Sequence, residues 1–394
     1  MDIKALQAAF LKYFDTQSQR AFFAPGRVNL IGEHIDYNGG HVLPCAISNG
    51  TYGLVSLRSD QKVSCVSLNF ESDGCVSFDL ADLSYQASDS WLSYIKGMIQ
   101  YCQEKTGKTV SGFNLLIYGN IPNGAGLSSS ASLELLIGMI VNQLFDLGLS
   151  HLDLALLGQK VENDYLGLNT GIMDQFAIGM SRADSAAYLK VSDMTYEFLP
   201  LQLGEVVLLI MNTNKQRKLT DSKYNQRRAE CDQALADLQK ECDITYLCQL
   251  RPDQFESLSH LIEDPIIRQR AKHVVYEDER TQQAKDALLA SDWEAFGKLM
   301  NQSHQSLRED YDVTGLELDT LVEAAWEQEG VLGARMTGAG MGGCAIALVK
   351  KDRLDSVKDQ IQSIYQAKVG YPASFYLAQS APGICELTAI NEED

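Results

Sequence analysis

The sequence predicts a two-domain protein that mixes α-helices and β-strands, of the α/β or α+β class. Three observations carry that prediction. The chain has 394 residues, and at about 150 residues per domain it has room for two. Strand-like and helix-like segments interleave along it rather than segregate. Glycine-rich loops crowd the first half, and a charged, helically patterned stretch follows from about 220 to 330, so the boundary is placed near residue 200. With 45% hydrophobic and 22% charged residues, the composition is globular and excludes collagen, a coiled coil or wholesale disorder. A chain of this length buries roughly three quarters of its unfolded surface and needs no disulfide staples.

Taken in order, residues 4–14 carry apolar positions at helical spacing. Short strand-like runs follow at Ala21–Ala24, Tyr52–Leu57, Val63–Leu68 and Cys75–Phe78, and Trp91–Glu104 is helical in pattern. Phe113–Tyr118 (FNLLIY) reads as a strand, Ala131–Leu147 as a long apolar helix and His151–Tyr165 as another. Ala186–Val191 is strand-like, and Val206–Met211 (VVLLIM) is the unbroken apolar run of a strand buried on both faces. Beyond the helical stretch, Cys344–Val349 is a strand, Leu354–Gln366 a helix and Ser374–Leu377 a last strand.

Charge and cysteine narrow the function. Lys and Arg number 33 against 52 Asp and Glu, a net charge of −19. Such a field repels phosphate backbones and anionic lipid heads, so nucleic acid and membrane surfaces are poor partners. A bound nucleotide therefore requires a locally electropositive pocket. The nine cysteines are odd in number and form no CxxC pair, which points to reduced thiols and a cytoplasmic protein. The N-terminal segment has charges inside its apolar pattern, unlike a signal peptide. No uncharged apolar run reaches 18 residues, so no membrane span is expected.

Four segments were candidates for chemistry. Gly107-Lys108-Thr109 ends like a phosphate-binding P-loop, but the required earlier glycine falls at Cys102 and the segment follows a helix. Gly338, Gly340 and Gly343 match GxGxxG, yet a strand follows where a dinucleotide fold needs a helix; the glycines still imply a tight loop and close backbone approach. Pro122 to Ala131 lies between a strand and a helix. Its glycines free backbone N–H groups, the helix end adds positive potential, and Ser128, Ser129 and Ser130 offer hydroxyls to phosphate or Mg²⁺. Glu134, one turn on, faces the same spot; a plain helix cap is the alternative. Finally, Gly26 to Gly40 packs Arg27, Glu33, His34 and Asp36 between glycines. Binding of a polyhydroxyl ligand, metal ligation and an exposed polar loop all fit that composition.

Three of these segments together resemble one family. GRVNLIGEHIDYNGG resembles the galactokinase signature. NIPNGAGLSSSASLE resembles the phosphate loop shared by galactokinase, homoserine kinase, mevalonate kinase and phosphomevalonate kinase, and MTGAGMGGCAIAL resembles the third, glycine-rich motif of that superfamily. The resemblance implies an α+β, two-domain small-molecule kinase fold. Residues 1–200 would form a ribosomal-protein-S5-like domain and 201–394 a ferredoxin-like domain, with the active site between them.

It also implies a function: ATP-dependent phosphorylation of the anomeric hydroxyl of α-D-galactose, the first phosphorylation of galactose catabolism in the Leloir pathway. Arg27, Glu33, His34, Asp36, Gly171, Asp174 and Tyr224 would form the sugar pocket, with Asp174 and Arg27 catalytic. Trp91, Gly124, Ala125, Gly126, Leu127, Ser128, Ser129, Ser130 and Gly340 would surround ATP. Ser129, Ser130 and Glu134 would serve Mg²⁺. The family's members are commonly monomers. N-acetylgalactosamine or arabinose kinases, and non-catalytic sugar sensors, are the related alternatives.

Overall fold

The computed structural model describes residues 2–122, 125–215 and 220–387. Its strands are β1 (Arg20–Asn29), β2 (His41–Val42), β3 (Pro44–Leu57), β4 (Lys62–Ser67), β5 (Cys75–Asp79), β6 (Phe113–Gly119), β7 (Ser185–Lys190), β8 (Thr195–Pro200), β9 (Val206–Asn212), β10 (Val331–Thr337), β11 (Cys344–Lys350), β12 (Ser374–Leu377) and β13 (Cys385–Leu387). The helices are α1 (Ile3–Phe14), α2 (Leu92–Thr106), α3 (Ser129–Leu144), α4 (His151–Lys160), α5 (Met173–Met180), α6 (Thr220–Leu238), α7 (Pro252–Leu258), α8 (Pro265–Leu289), α9 (Trp293–Glu309), α10 (Leu316–Trp326) and α11 (Leu354–Val369).

A six-stranded sheet runs β13-β1-β3-β6-β4-β5. Its side chains alternate between faces with the period of two that the pleat imposes. Leu54 and its partner Leu116 turn toward α1, where they pack with Leu6 and Phe10. The next residues, Val55 and Leu115, turn the other way onto Met98, Ile99, Leu136 and Ile140 of α2 and α3. A four-stranded sheet, β10-β11-β9-β12, packs against α9, α10 and α11. Strand β9 is interior to it and almost wholly buried, as its apolar run predicts. A third sheet, β2-β7-β8, lies against α8.

One core belongs to both halves of the chain. It joins Val28, Leu30, Ile31 and Leu127 to Ala284, Phe296, Met300 and Ile346. The first motif and the loop that carries Ala125 and Leu127 are thereby fixed on helices and strands that come much later in the chain. The last strand, β13, also returns to the first sheet and pairs with β1. Among the described residues no helix is long and apolar enough to cross a membrane, and all nine cysteines are free.

Three departures from the sequence expectation matter for the site. Strand β1 continues past Ala24 to Asn29 through a bulge at Pro25/Gly26, so the first motif begins as strand. Helix α5 was not expected. Gly338 to Gly343 is the turn of the antiparallel hairpin β10–β11, so a strand also precedes that motif. The rejected P-loop candidate is a helix end, with Gly107 in the left-handed conformation closing α2.

Candidate active site

Because β1 runs through the motif, alternation puts Arg27 and Asn29 on one face and Val28 in the core. Arg27 is only 3% exposed. Its Nε and Nη2 each donate to Asp174 at 2.8 Å, a two-pronged pair, and its Nη1 donates to the Gly126 carbonyl at 2.9 Å. Asp174 stands in the first turn of α5 and keeps part of its carboxylate open to the cleft. The Ser128 hydroxyl donates to the same carboxylate.

Ser128 occupies the position before α3, where a hydroxyl ordinarily caps the helix. Here the residue is left-handed, with φ 63°, and makes no cap bond. Its hydroxyl is turned to Asp174 instead. The N-terminal amides of α3 are thus left facing a cleft of about 510 Å³ that Ser128, Ser129 and Ser130 line. A helix start with unclaimed N–H groups is an anion site by its own dipole.

The same cleft is lined by Glu33, His34, Asp36, Gly171 and Tyr224. Glu33 is 1% exposed. It accepts from Arg335 Nη2 at 2.6 Å, Asn29 Nδ2 at 3.1 Å and the Gly338 amide at 2.8 Å. Burial pushes its pKa up, and Arg335 and Arg27 oppose that. His34 is neutral, with its pKa pushed down to about 3 by burial and then by His273. Its Nε2 meets the Ala339 carbonyl, which only accepts, so Nε2 carries the proton. Nδ1 then accepts from Tyr37 Oη, which in turn accepts from Tyr311 Oη. Asp36 takes the Met173 amide at 3.3 Å. Burial and Asp174 raise its pKa to about 6. A side chain at Gly171 would sit 1.8 Å from the Asp36 carboxylate, so glycine is required there. The Tyr224 ring closes this side, 5.6 Å from His34.

Across the cleft the Ser130 hydroxyl donates to Glu162 at 3.2 Å. Glu162 lies in a π-helical turn, Val161–Tyr165, that ends α4. Glu134 is wholly buried; Gln175 donates to its Oε2, and its Oε1 has no hydrogen-bond partner among the described residues. Burial and the neighbouring carboxylates push both Glu134 and Glu162 up.

Other expected residues fall elsewhere. Gly124 lies outside the described residues. Ala125 and Leu127 are buried in the shared core and hold the loop from below. Trp91 is not among the residues lining the cleft: its indole donates to Asp73 and packs on the first-half core, while Tyr85, Ser90, Ser93 and Tyr94 line that end. Gly340 also lies off the cleft. Its left-handed backbone packs against the Val313 carbonyl, which a Cβ would meet at 2.2 Å, and it is Gly338 and Ala339 of that turn that reach the cleft. Sequence reasoning missed Glu162 and Arg335. Arg335 carried a usable signal, a lone charge between Ala334 and Met336 just before the glycine turn.

Comparison with known proteins places the chain in a family. Residues 8–57 match the galactokinase galactose-binding signature, 93–182 the GHMP kinases N terminal domain and 284–367 the GHMP kinases C terminal domain. The chain is 50% identical to a galactokinase of Ligilactobacillus salivarius, over 97% of this chain and 99% of that one. It is 53% identical to one of Enterococcus faecalis, over 97% and 99%. The crystal structure of Lactococcus lactis galactokinase complexed with galactose superposes with a TM-score of 0.95 at 48% identity, over 98% of this chain and 100% of that one. Methanococcus jannaschii mevalonate kinase, at 20% identity and a TM-score of 0.62 over 92% and 98%, shares the fold. With the galactokinase signature, both GHMP kinase domains and 97% of its length matched in this way, the chain belongs to the galactokinase family of GHMP kinases.

Proposed function

We propose that this protein transfers the γ-phosphoryl group of ATP to the anomeric hydroxyl of α-D-galactose, giving galactose 1-phosphate and ADP. The observation that carries the reading is the Arg27–Asp174–Ser128 constellation at the open N-terminus of α3, in one cleft with Glu33, His34 and Asp36. In this reading residues 1–200 and 201–394 are the two functional halves, and the protein acts as a cytoplasmic monomer.

The anomeric hydroxyl donates to Asp174, which takes its proton as the O–P bond forms and the bond to the ADP oxygen breaks. Arg27 holds the carboxylate in place by both prongs and steadies the incoming oxygen. The α3 amides and serine hydroxyls receive the phosphates. Catalysis of this kind is positioning plus charge stabilisation. Asp36 and Tyr224 hold the sugar hydroxyls.

The residues present fit a Mg²⁺ ion. Glu134 offers a buried oxygen without a hydrogen-bond partner among the described residues, and Ser129, Ser130 and Glu162, which line the cleft, add further oxygens. Among the described residues no three His, Cys, Asp or Glu converge as a metal cage, which suits an ion that takes few protein ligands and fills its shell with phosphate and water. When bound, it neutralises phosphate charge.

ADP release coupled to a reporter, with galactose, glucose, N-acetylgalactosamine and mevalonate side by side, tests the reading. Turnover confined to galactose is expected, and equal turnover with mevalonate contradicts it. Asp36 adds a pH dependence. Its charged form is the stronger acceptor, and its pKa in the fold is about 6. Galactose KM is therefore expected to rise as pH falls through about 6. Asp36→Asn should raise KM about tenfold or more and abolish that dependence. Initial rates between pH 5 and 8 check both.

A further inference from the structure

A buried polar hub lies beneath the first motif, outside the cleft, and it comes almost entirely from the second half of the chain. Its centre is Glu277 of α8, which has no exposed surface. Glu277 Oε1 accepts from the amides of Gly32 at 3.1 Å and Glu33 at 3.3 Å, and from the Ser303 hydroxyl at 2.6 Å. Its Oε2 accepts from Arg280 Nε at 2.7 Å. Ser303 in turn accepts from Arg335 Nε at 3.2 Å. Arg335 reaches Glu33 with one nitrogen and the carbonyls of Asn29 and Leu30 with another. His273, one turn before Glu277 on α8, meets the Glu33 carbonyl at 3.1 Å.

The Gly32 and Glu33 amides, the Asn29, Leu30 and Glu33 carbonyls and the Glu33 carboxylate are thus all claimed by this hub. Its charges balance, with Glu33 and Glu277 against Arg335 and Arg280. Gly32 lets the chain come this close: it is left-handed, and a Cβ there would meet the His41 carbonyl at 2.5 Å. Within the turn the Asn29 side chain bonds Glu33, but the amides of Gly32 and Glu33 are held by a carboxylate some 245 positions away in sequence.

We propose that Glu277 is a positioning residue for the sugar side of the reaction. By gripping the Gly32 and Glu33 amides, and through Ser303 the guanidinium that holds Glu33, it sets where the Glu33 and His34 side chains stand in the cleft. It touches neither substrate. The proposal rests on the reading of residues 27–36 as the sugar side, and it predicts that the α8 hub governs galactose and not ATP.

The test uses Glu277→Gln, which keeps shape but removes the charge, and Ser303→Ala, which removes one bond to Oε1 and the relay to Arg335. Glu277→Gln is expected to raise galactose KM about tenfold, as loss of charge-assisted bonds does, with ATP KM within about twofold of wild type. Ser303→Ala should raise galactose KM about threefold by the same argument. A role in stability alone would lower the active fraction, and so kcat per milligram, with both KM values unchanged; that result overturns the proposal, as does an equal rise in both. If Glu277→Gln yields no folded protein, Ser303→Ala decides by the same split. Wild-type protein that releases no ADP with galactose would instead overturn the parent reading.

Discussion

Asp174→Asn is expected to lower kcat by about 10²–10⁴-fold, the usual contribution of a positioned proton acceptor, and to leave galactose affinity within a few-fold of wild type. The asparagine fills the same space and still accepts from one prong of Arg27. It cannot take the proton of the anomeric hydroxyl. Its amide nitrogen also faces a donor wherever the carboxylate accepted from Arg27 or Ser128. Steady-state kinetics with a galactose binding titration separate the two effects. A rate near wild type would remove Asp174 from the chemistry.

The second large effect is on stability. Arg335→Met should destabilise the fold by about 3–5 kcal/mol at neutral pH, the cost of leaving one partner of a buried pair uncompensated. Both members are fully buried, with 0% and 1% of their side chains exposed. Glu33 keeps only the Asn29 amide and the Gly338 N–H. The sign of the pH dependence follows. Burial already raises the Glu33 pKa, and Arg335 is the largest force opposing it. Without Arg335 the folded-state pKa climbs further above its unfolded value. The folded state then holds the proton that the unfolded state releases, so stability falls as pH rises through that window. Urea midpoints should show a larger deficit for the variant at pH 8 than at pH 5. An equal deficit at both would mean that Glu33 carries no charge to compensate.

How much of this was legible in the sequence depends on whether the signal was local. Phe113–Tyr118 and Val206–Met211 were readable because they are short, carry β-branched or aromatic residues and are flanked by glycine, which together favour a strand over a buried helix. Ser374–Leu377 was read to the residue. Strand β1 was cut short at Ala24 because Pro25, Gly26 and Arg27 look like loop; the bulge at Pro25/Gly26 absorbs them and the pairing resumes. The strand β13 was missed, since Cys385–Leu387 is too short to show a period and gains its order from β1.

The site divides in the same way. Arg27, Asp36, Asp174 and the serines were singled out from short motifs, and the fold brings them to one cleft. Glu162 was invisible because a carboxylate in a polar helix is ordinary; only the π-helical turn aims it at Ser130. The chain of hydroxyls from His34 through Tyr37 to Tyr311, and the grip of Glu277 on Gly32, span too much sequence for any local pattern to reveal them. Trp91 was placed near the nucleotide by the resemblance alone; in the fold its indole donates to Asp73, and it is not among the residues lining the cleft.

The most direct measurement is a crystal structure of the protein with galactose and a non-hydrolysable ATP analogue. The account predicts the anomeric hydroxyl within hydrogen-bonding distance of Asp174, with the terminal phosphate at the first turn of α3. A sugar bound with another hydroxyl toward Asp174, or a triphosphate seated away from Ser128–Ser130, would contradict it.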